Sequence, residues 1–375
     1  MQKQTKRSEE EKAGIAVVVL SSLSHGGAER VLINVANTWS KITTVYLITR
    51  DPEGVNSKTI DNNVIILTCR STKLWLFDLL IHLRNIKPQY VLSSIWDINI
   101  ILVIFRYLLP NNFKLIIRES VSPIAHLSSL KLGAIYLVLY RFFYKRCDLL
   151  IAPSQGVASE VKSILGRSDV NIIIIENYPN LERIKKVLPR GGSSPGKYIV
   201  SVGRLTKQKG YDLLINAFKD SKFKLNGYRL LIIGDGPDRR KLQLLIEKSD
   251  LTENIEILSS RETSLTIVGD AAFYVLSSRY EGLSNAMLEA LALGVPVLAT
   301  ARHTSADEAV VDGVNGLLIS ETNMESIKNI LDRAFDEIDY FSRQKIASET
   351  FAHYSKINAM EWYADIIKQD MLHPL

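Results

Sequence analysis

The sequence predicts an α/β protein made of two doubly wound halves that face a central cleft. Short, continuously apolar, β-branched runs alternate with longer helical stretches along the chain, as expected of parallel strands buried on both faces. The alternation stops over residues 181–196, where Pro189, Pro195 and the run GGSSPG stand, and then starts again. A chain of 375 residues is also too long for one ordinary core.

Residues 1–14 are charged and polar, without the apolar centre of a secretory signal, and read as a disordered lead. The first half covers 15–180. Its strands are expected at Ile15–Ser21, Thr43–Thr49, Val64–Leu67, Tyr90–Ser93, Lys114–Arg118, Asp148–Ala152 and Asn171–Ile175. Its helices are expected at Glu29–Trp39, Leu74–Arg84, Asp97–Leu109 and, as one long element, Leu130–Tyr144. A linker over 181–196 leads to the second half, 197–355. There the strands are Tyr198–Val202, Arg229–Ile233, Ile255–Leu258, Ala272–Leu276, Val295–Ala299 and Gly316–Ile319. Helices are expected at Gly210–Ala217, Asp238–Lys248 and Asn285–Leu293, and from Ser326 to the end, with 356–375 as a final segment. Sheets of this kind bind ligands at the carboxyl ends of their strands.

Composition narrows the class. Hydrophobic residues make 46% and charged residues 23% of the chain, the balance of a soluble globular protein. Cys69 and Cys147 stand far apart with no CxxC partner, which argues against a disulfide framework or a zinc site and suits a reducing cytosol. The most apolar stretch, Leu130–Phe143, is interrupted by Lys131 and Arg141, so no spanning helix is expected.

Charge is unevenly placed. Residues 1–190 carry 25 Lys and Arg against 15 Asp and Glu, a net of +10, and residues 191–375 carry 21 against 25, a net of −4. A basic first half suits an anionic partner, either phosphates or an anionic membrane surface. A chance imbalance on a solvated face is the plain alternative. Nucleic acid is disfavoured, because no binding motif accompanies the charge.

Four segments carry candidate chemistry. The first is SRYEGLSNAMLEALALGVP from Ser278, with Glu281 in a loop and Glu289 one turn into the helix that follows. The amides of Gly282, Leu283 and Ser284 lie at that helix's N-terminus, a place for a phosphate or sugar hydroxyls, and Gly282 permits close approach. Two glutamates eight apart would by themselves more often mark a solvated face. The second is Gly203-Arg204-Leu205 with Lys209-Gly210, after a strand. There a planar guanidinium and a point charge could neutralise a departing diphosphate. The third, Gly234-Asp235-Gly236-Pro237, is a tight turn read as mainly structural. The fourth is His25-Gly26-Gly27-Ala28-Glu29-Arg30. Its glycines allow close backbone approach at the cleft, and His25 reads as a loop residue.

Together these residues resemble glycosyltransferase family 4, of GT-B architecture with two Rossmann-like domains. The likeness runs over nearly the whole chain. It is specific in GRLxxxKG, GDGP, the EG…E pair and GVPV, and looser in GGAER and RCDLLIAPS. It implies a first domain for the acceptor, a second for a nucleotide sugar, and a C-terminal helix packed back on the first. It further implies that Arg204 and Lys209 bind the donor diphosphate, Glu281 the donor sugar and Glu289 the ribose. Gly26 and Gly27 would close the cleft, with Gly203, Gly282, Leu283 and Ser284 around the donor. Catalysis would rest on Arg204, Lys209 and Glu281, without metal or cofactor and with retained anomeric configuration. Many relatives carry a histidine after the strand that here leads into Arg118-Glu119-Ser120, so a role for Glu119, or for the nearest histidine, His126, stays open.

Within the family the pattern looks most like bacterial polysaccharide and lipid-linked oligosaccharide transferases. That implies a UDP-linked hexose or N-acetylhexosamine as donor, a glycan or polyprenyl-diphosphate-linked acceptor, and a cytoplasmic place, peripheral on the inner membrane face. The rival readings are a UDP-sugar epimerase or hydrolase of the same fold, and a non-catalytic glycan- or membrane-binding protein.

Overall fold

A computed structural model describes residues 14–23, 26–69, 74–109, 113–166, 169–187, 195–259 and 264–372; nearly all of the expected lead, as well as His25, lies outside them. The first half contains strands β1 (Ile15–Ser22), β2 (Thr44–Asp51), β3 (Val64–Thr68), β4 (Tyr90–Ser93), β5 (Lys114–Arg118), β6 (Leu149–Ala152) and β7 (Asn171–Ile174). They form one parallel sheet in the order β3-β2-β1-β4-β5-β6-β7. Between them run helices α1 (Gly27–Trp39), α2 (Trp75–Ile86), α3 (Trp96–Leu108), α4 (Pro123–Ser128), α5 (Gly133–Phe143) and α6 (Gln155–Leu165).

Alternation along β1 explains the layers. Val17 and Val19 join the core under α2, α3, α5 and α6, while Ala16, Val18 and Leu20 join the core under α1, as the two-residue period of a strand requires. Both faces are therefore covered.

After α7 (Leu181–Lys185) comes a second parallel sheet of β8 (Tyr198–Val202), β9 (Arg229–Ile233), β10 (Ile255–Leu258), β11 (Phe273–Leu276), β12 (Val297–Thr300) and β13 (Gly316–Ile319). Its order is β10-β9-β8-β11-β12-β13. Its helices are α8 (Tyr211–Lys219), α9 (Lys222–Leu225), α10 (Arg239–Lys248), α11 (Ser264–Asp270), α12 (Asn285–Ala292), α13 (Met324–Asp336) and α14 (Arg343–Tyr354). The last helix, α15 (Ala359–Leu372), returns to the first half. Tyr363 and Ile367 enter the core beneath α1, and the Trp39 indole donates to the Tyr363 carbonyl at 2.7 Å.

Several elements differ from expectation, among them the short helices α9 and α11, which were not expected. The long helix over Leu130–Tyr144 is replaced by α4, a turn and α5. Pro123 opens α4 and the Ser122 hydroxyl caps it at Ala125 N, 3.3 Å away, an N-terminal signal of proline plus serine. At the start of α5 a Cβ on Gly133 would stand 2.4 Å from the Leu127 carbonyl, so the two helices meet in a turn that only glycine fits. The stretch read as linker begins with α7, capped by the Asn180 side chain at 3.0 Å and anchored by fully buried Ile184 in the second core. Helix α6 was not expected at all, although Ser154 caps it at Val157 N, 3.1 Å away.

Candidate active site

The carboxyl ends of both sheets meet, and backbone constraints in the second half fix the meeting point. Behind β8, a turn over Lys207–Lys209 ends at Gly210, whose φ of +66° favours glycine and whose Cβ would stand 2.1 Å from the Ser277 carbonyl. The Ser277 hydroxyl donates to the Lys209 carbonyl at 2.9 Å. The Lys209 loop is thereby bound to the loop after β11. Arg279 adds a second tie, a two-pronged ion pair to Asp212 at 2.8 Å for each prong and a bond to the Lys207 carbonyl at 2.7 Å.

This juxtaposition brings two sequence-predicted residues together. Lys209 Nζ is ion-paired with Glu281 Oε2, and Ser278 Oγ donates to the same oxygen at 3.4 Å. Both side chains are largely buried, which strengthens the pair relative to a surface one. Gly203 lies beneath: a Cβ there would come within 2.9 Å of both the Lys209 side chain and the Tyr211 hydroxyl.

The Glu281 backbone is held from both halves. Its N–H donates to the His303 carbonyl at 2.7 Å, and its carbonyl accepts from Ser122 N of the first half at 3.1 Å. Gly282 is pressed against the first half, since a Cβ would meet the Ser120 carbonyl at 2.6 Å and the Pro153 ring at 3.1 Å. The Leu283 carbonyl accepts from Asn177 Nδ2 at 2.5 Å. Ser284 caps α12 with extended backbone and without a side-chain capping bond. Gly282, Leu283 and Ser284 are all buried.

Glu289 does not meet Glu281. It lies on α12 and its Oε1 takes the guanidinium of Arg30, on α1, at 3.0 Å. Gly27, at the start of α1, faces α12 as well, its Cβ position 3.4 Å from Asn285 Nδ2. The Gly26 carbonyl accepts Arg30 N at 3.1 Å, the first turn of α1. Arg204 is exposed and takes part in no ion pair among the described residues. It lies near enough to Glu29 to influence it: burial raises the Glu29 carboxyl above its ordinary range, opposed by a backbone hydrogen bond and by the Arg204 charge.

A second edge of the cleft is closed by Glu308. Its carboxylate accepts Gln155 N at 2.8 Å and Gly156 N at 2.7 Å, at the N-terminus of α6. Ser154 and Ser305 hydroxyls meet beside it at 2.8 Å.

Glu119 is no cleft residue. It is buried, and its Oε1 accepts the Tyr140 hydroxyl at 2.8 Å, so it points under α5 rather than at the second half. Burial pushes its carboxyl up to about 7. Its neighbour Arg118 is buried too and donates to Tyr363 Oη at 3.0 Å, Ser94 Oγ at 3.3 Å and Asn177 Oδ1 at 2.6 Å. His126 does reach the boundary, with Nδ1 3.4 Å from the Tyr280 hydroxyl.

Reading the sequence alone missed Arg30, Asn177, Arg118, Ser278 and Arg279 as parts of this constellation. Arg30 had a signal, its place in GGAER, and Ser278 and Arg279 open the segment that carries Glu281, with Ser278 bonded to Glu281 three residues on; the contacts of Arg279, Asn177 and Arg118 span long sequence separations that no local pattern encodes. Chemically, the arrangement offers a cation and a carboxylate in contact, a second exposed cation, and a second carboxylate held from the opposite half. Among the described residues no group of three or more His, Cys, Asp and Glu could hold a metal ion, and no helix is long and apolar enough to cross a membrane.

Known proteins resemble this chain in sequence and in fold. A family profile described as glycosyl transferases group 1 matches residues 185–349. The chain is 30% identical over 281 residues to an uncharacterized glycosyltransferase of Methanocaldococcus jannaschii, covering 68% of each chain. It is 28% identical over 218 residues to a Campylobacter jejuni N-acetylgalactosamine-N,N'-diacetylbacillosaminyl-diphospho-undecaprenol 4-alpha-N-acetylgalactosaminyltransferase, covering 58% of this chain and 59% of that protein. The match thus spans about three fifths of that relative's length. Among solved structures, Anabaena HepE in complex with UDP and glucose superposes with a TM-score of 0.74 at 18% identity, covering 96% of this chain and 99% of that one. That likeness is one of fold, and the fold is GT-B.

Proposed function

The chain belongs to the glycosyl transferases group 1 family, and on that premise we propose that it moves a hexose or N-acetylhexosamine from a UDP-sugar to a growing, lipid-linked glycan with retention of configuration. The observation that carries the reading is the Lys209–Glu281 pair at the carboxyl ends of the second sheet, with Arg204 exposed nearby. Lys209 and Arg204 would take the diphosphate, the amides after Glu281 would add dipoles, and Glu281 would hold the sugar. Charge grows on the leaving diphosphate in the transition state, and cations fixed there lower the barrier. The acceptor oxygen forms the new bond at the anomeric carbon, the carbon–oxygen bond to the diphosphate breaks, and the acceptor's proton passes to the departing phosphate oxygen on the same face. Glu289 is engaged with Arg30 rather than with Glu281, which does not suit it as the partner carboxylate of a double displacement. The reading needs no metal or cofactor.

An anionic membrane surface is part of the same proposal. Helices α2, α3 and α5 leave Phe77, Tyr107 and Val138 at least 60% exposed. Lys131, Arg141 and Lys145 stand among and beside them. Apolar side chains flanked by cations suit a peripheral site on anionic lipid, where a lipid-linked acceptor would be found. The Campylobacter relative's undecaprenol-linked acceptor supports the choice, and cytoplasmic work at the inner membrane face follows from it.

Thermal stabilisation by a panel of nucleotide sugars tests the donor, because a ligand that binds only the folded state raises the melting temperature. UDP-sugars should stabilise and GDP-sugars should not. The reverse pattern would refute the donor assignment.

A further inference from the structure

We infer that Arg30, in the half opposite the expected donor site, is a positioning residue that holds Glu289 ready for a nucleoside diphosphate, which makes nucleotide binding a property of both halves. The inference rests on the reading of that site as nucleotide-binding. Glu289 is 9% exposed, and a carboxylate that buried is disfavoured without a partner. Arg30 supplies one across the cleft, at Oε1, 3.0 Å away. With Oε1 on Arg30, the other oxygen, Oε2, is the one that would take a ligand diol.

Two further observations point the same way. Asn285 lies one turn before Glu289, on the same face of α12. Its Oδ1 is buried without a partner among the described residues, an unmet acceptor beside the held carboxylate. Charges on α1 also mirror those of the second half: Glu29 senses Arg204, and the next residue, Arg30, meets Glu289. The close seat of Gly27 against Asn285, 3.4 Å from its Cβ position, keeps α1 near enough for both. If the halves part, Glu289 loses the charge that fixes it.

Calorimetric titration of the full chain with UDP tests this, using wild type, Arg30→Ala, Arg30→Lys, Glu289→Gln and the double variant Arg30→Ala/Glu289→Gln. Removing a charge-assisted bond should weaken UDP about tenfold or more in Arg30→Ala, and Arg30→Lys should recover part of the loss. On the Glu289→Gln background the Arg30 change should add little, as coupled residues do. UDP binding by Arg30→Ala at wild-type affinity, or an equal loss on both backgrounds, overturns the inference. Failure of the wild type itself to bind UDP overturns the nucleotide reading, and the inference with it.

Discussion

The two halves share a doubly wound plan and expose different things. In the first, α2, α3, α5 and the residue just before α5 present Phe77, Tyr107, Leu132, Ile135, Val138 and Phe142 to solvent. In the second, exposed large apolar side chains are scattered over separate elements, as at Leu225, Val311 and Tyr340, while the loops at the carboxyl ends are drawn tight by glycines whose Cβ would strike backbone. Gly234 would meet the Gly203 carbonyl at 1.9 Å and Gly236 the Leu205 carbonyl at 2.5 Å. One half is organised around its outer surface and the other around close backbone approach. The contrast matches a division between a large, amphiphilic partner and a small, anionic one.

If that division holds, the largest effect belongs to the second half. Lys209→Ala should lower turnover about 100-fold or more, read as UDP release in a coupled assay, and should lower the melting temperature as well, since Glu281 loses its partner in a largely buried pair. Retained turnover would remove Lys209 from the chemistry.

The next effect concerns stability and lies in the first half, where Glu119 is buried and its carboxyl is raised from its ordinary 4.5 to about 7. Between those values the folded chain keeps a proton that the unfolded chain has released. Stability therefore falls as pH rises from about 4.5 to about 7, by about 3 kcal/mol in all, and is level above that. Glu119→Gln should remove this slope in urea unfolding followed from pH 4 to 8; an unchanged slope would place the titration elsewhere.

A smaller effect is expected where the halves touch. Gly282→Ala must move the Ser120 carbonyl, 2.6 Å from the new Cβ, and should cut turnover about tenfold by opening the cleft, since ångström-scale misplacement costs rate steeply. Gly313→Ala, with nothing within 4 Å of its Cβ but a φ of +74° that strains an alanine, should cost about 1 kcal/mol of stability and leave turnover unchanged, which separates a backbone effect from an opened cleft. The smallest change expected is the loss of vesicle binding in Phe77→Asp/Val138→Asp. Flotation with anionic liposomes should drop severalfold while UDP affinity stays the same, and a fall in both would show that the two halves are not separable in this way.

Much of the fold was legible because its strands are buried on both faces. Tyr90–Ser93, Arg229–Ile233 and Ile255–Leu258 are short, mostly apolar runs, and each forms a strand with those bounds. The break between α4 and α5 was not, because the apolar run from Leu130 outweighs Gly133, whose role depends on the carbonyl of Leu127, six residues earlier in the fold's own turn. In the candidate site, Lys209 and Glu281 could be singled out since each follows a strand end beside a glycine. Their contact could not, because 72 residues separate them. Glu119 stands at a strand end like a cleft residue, and only packing against Tyr140 decides that it faces inward.

The anomeric configuration of the product bears most directly on the proposed transfer with retention from a UDP-sugar. Wild-type protein would be incubated with UDP-sugars and a lipid-linked glycan, the extended glycan isolated, and its new linkage read from proton NMR couplings. UDP release should depend on the acceptor, and the new linkage should carry the donor's configuration. Donor consumption without glycan extension, or an inverted linkage, would contradict the proposed transfer.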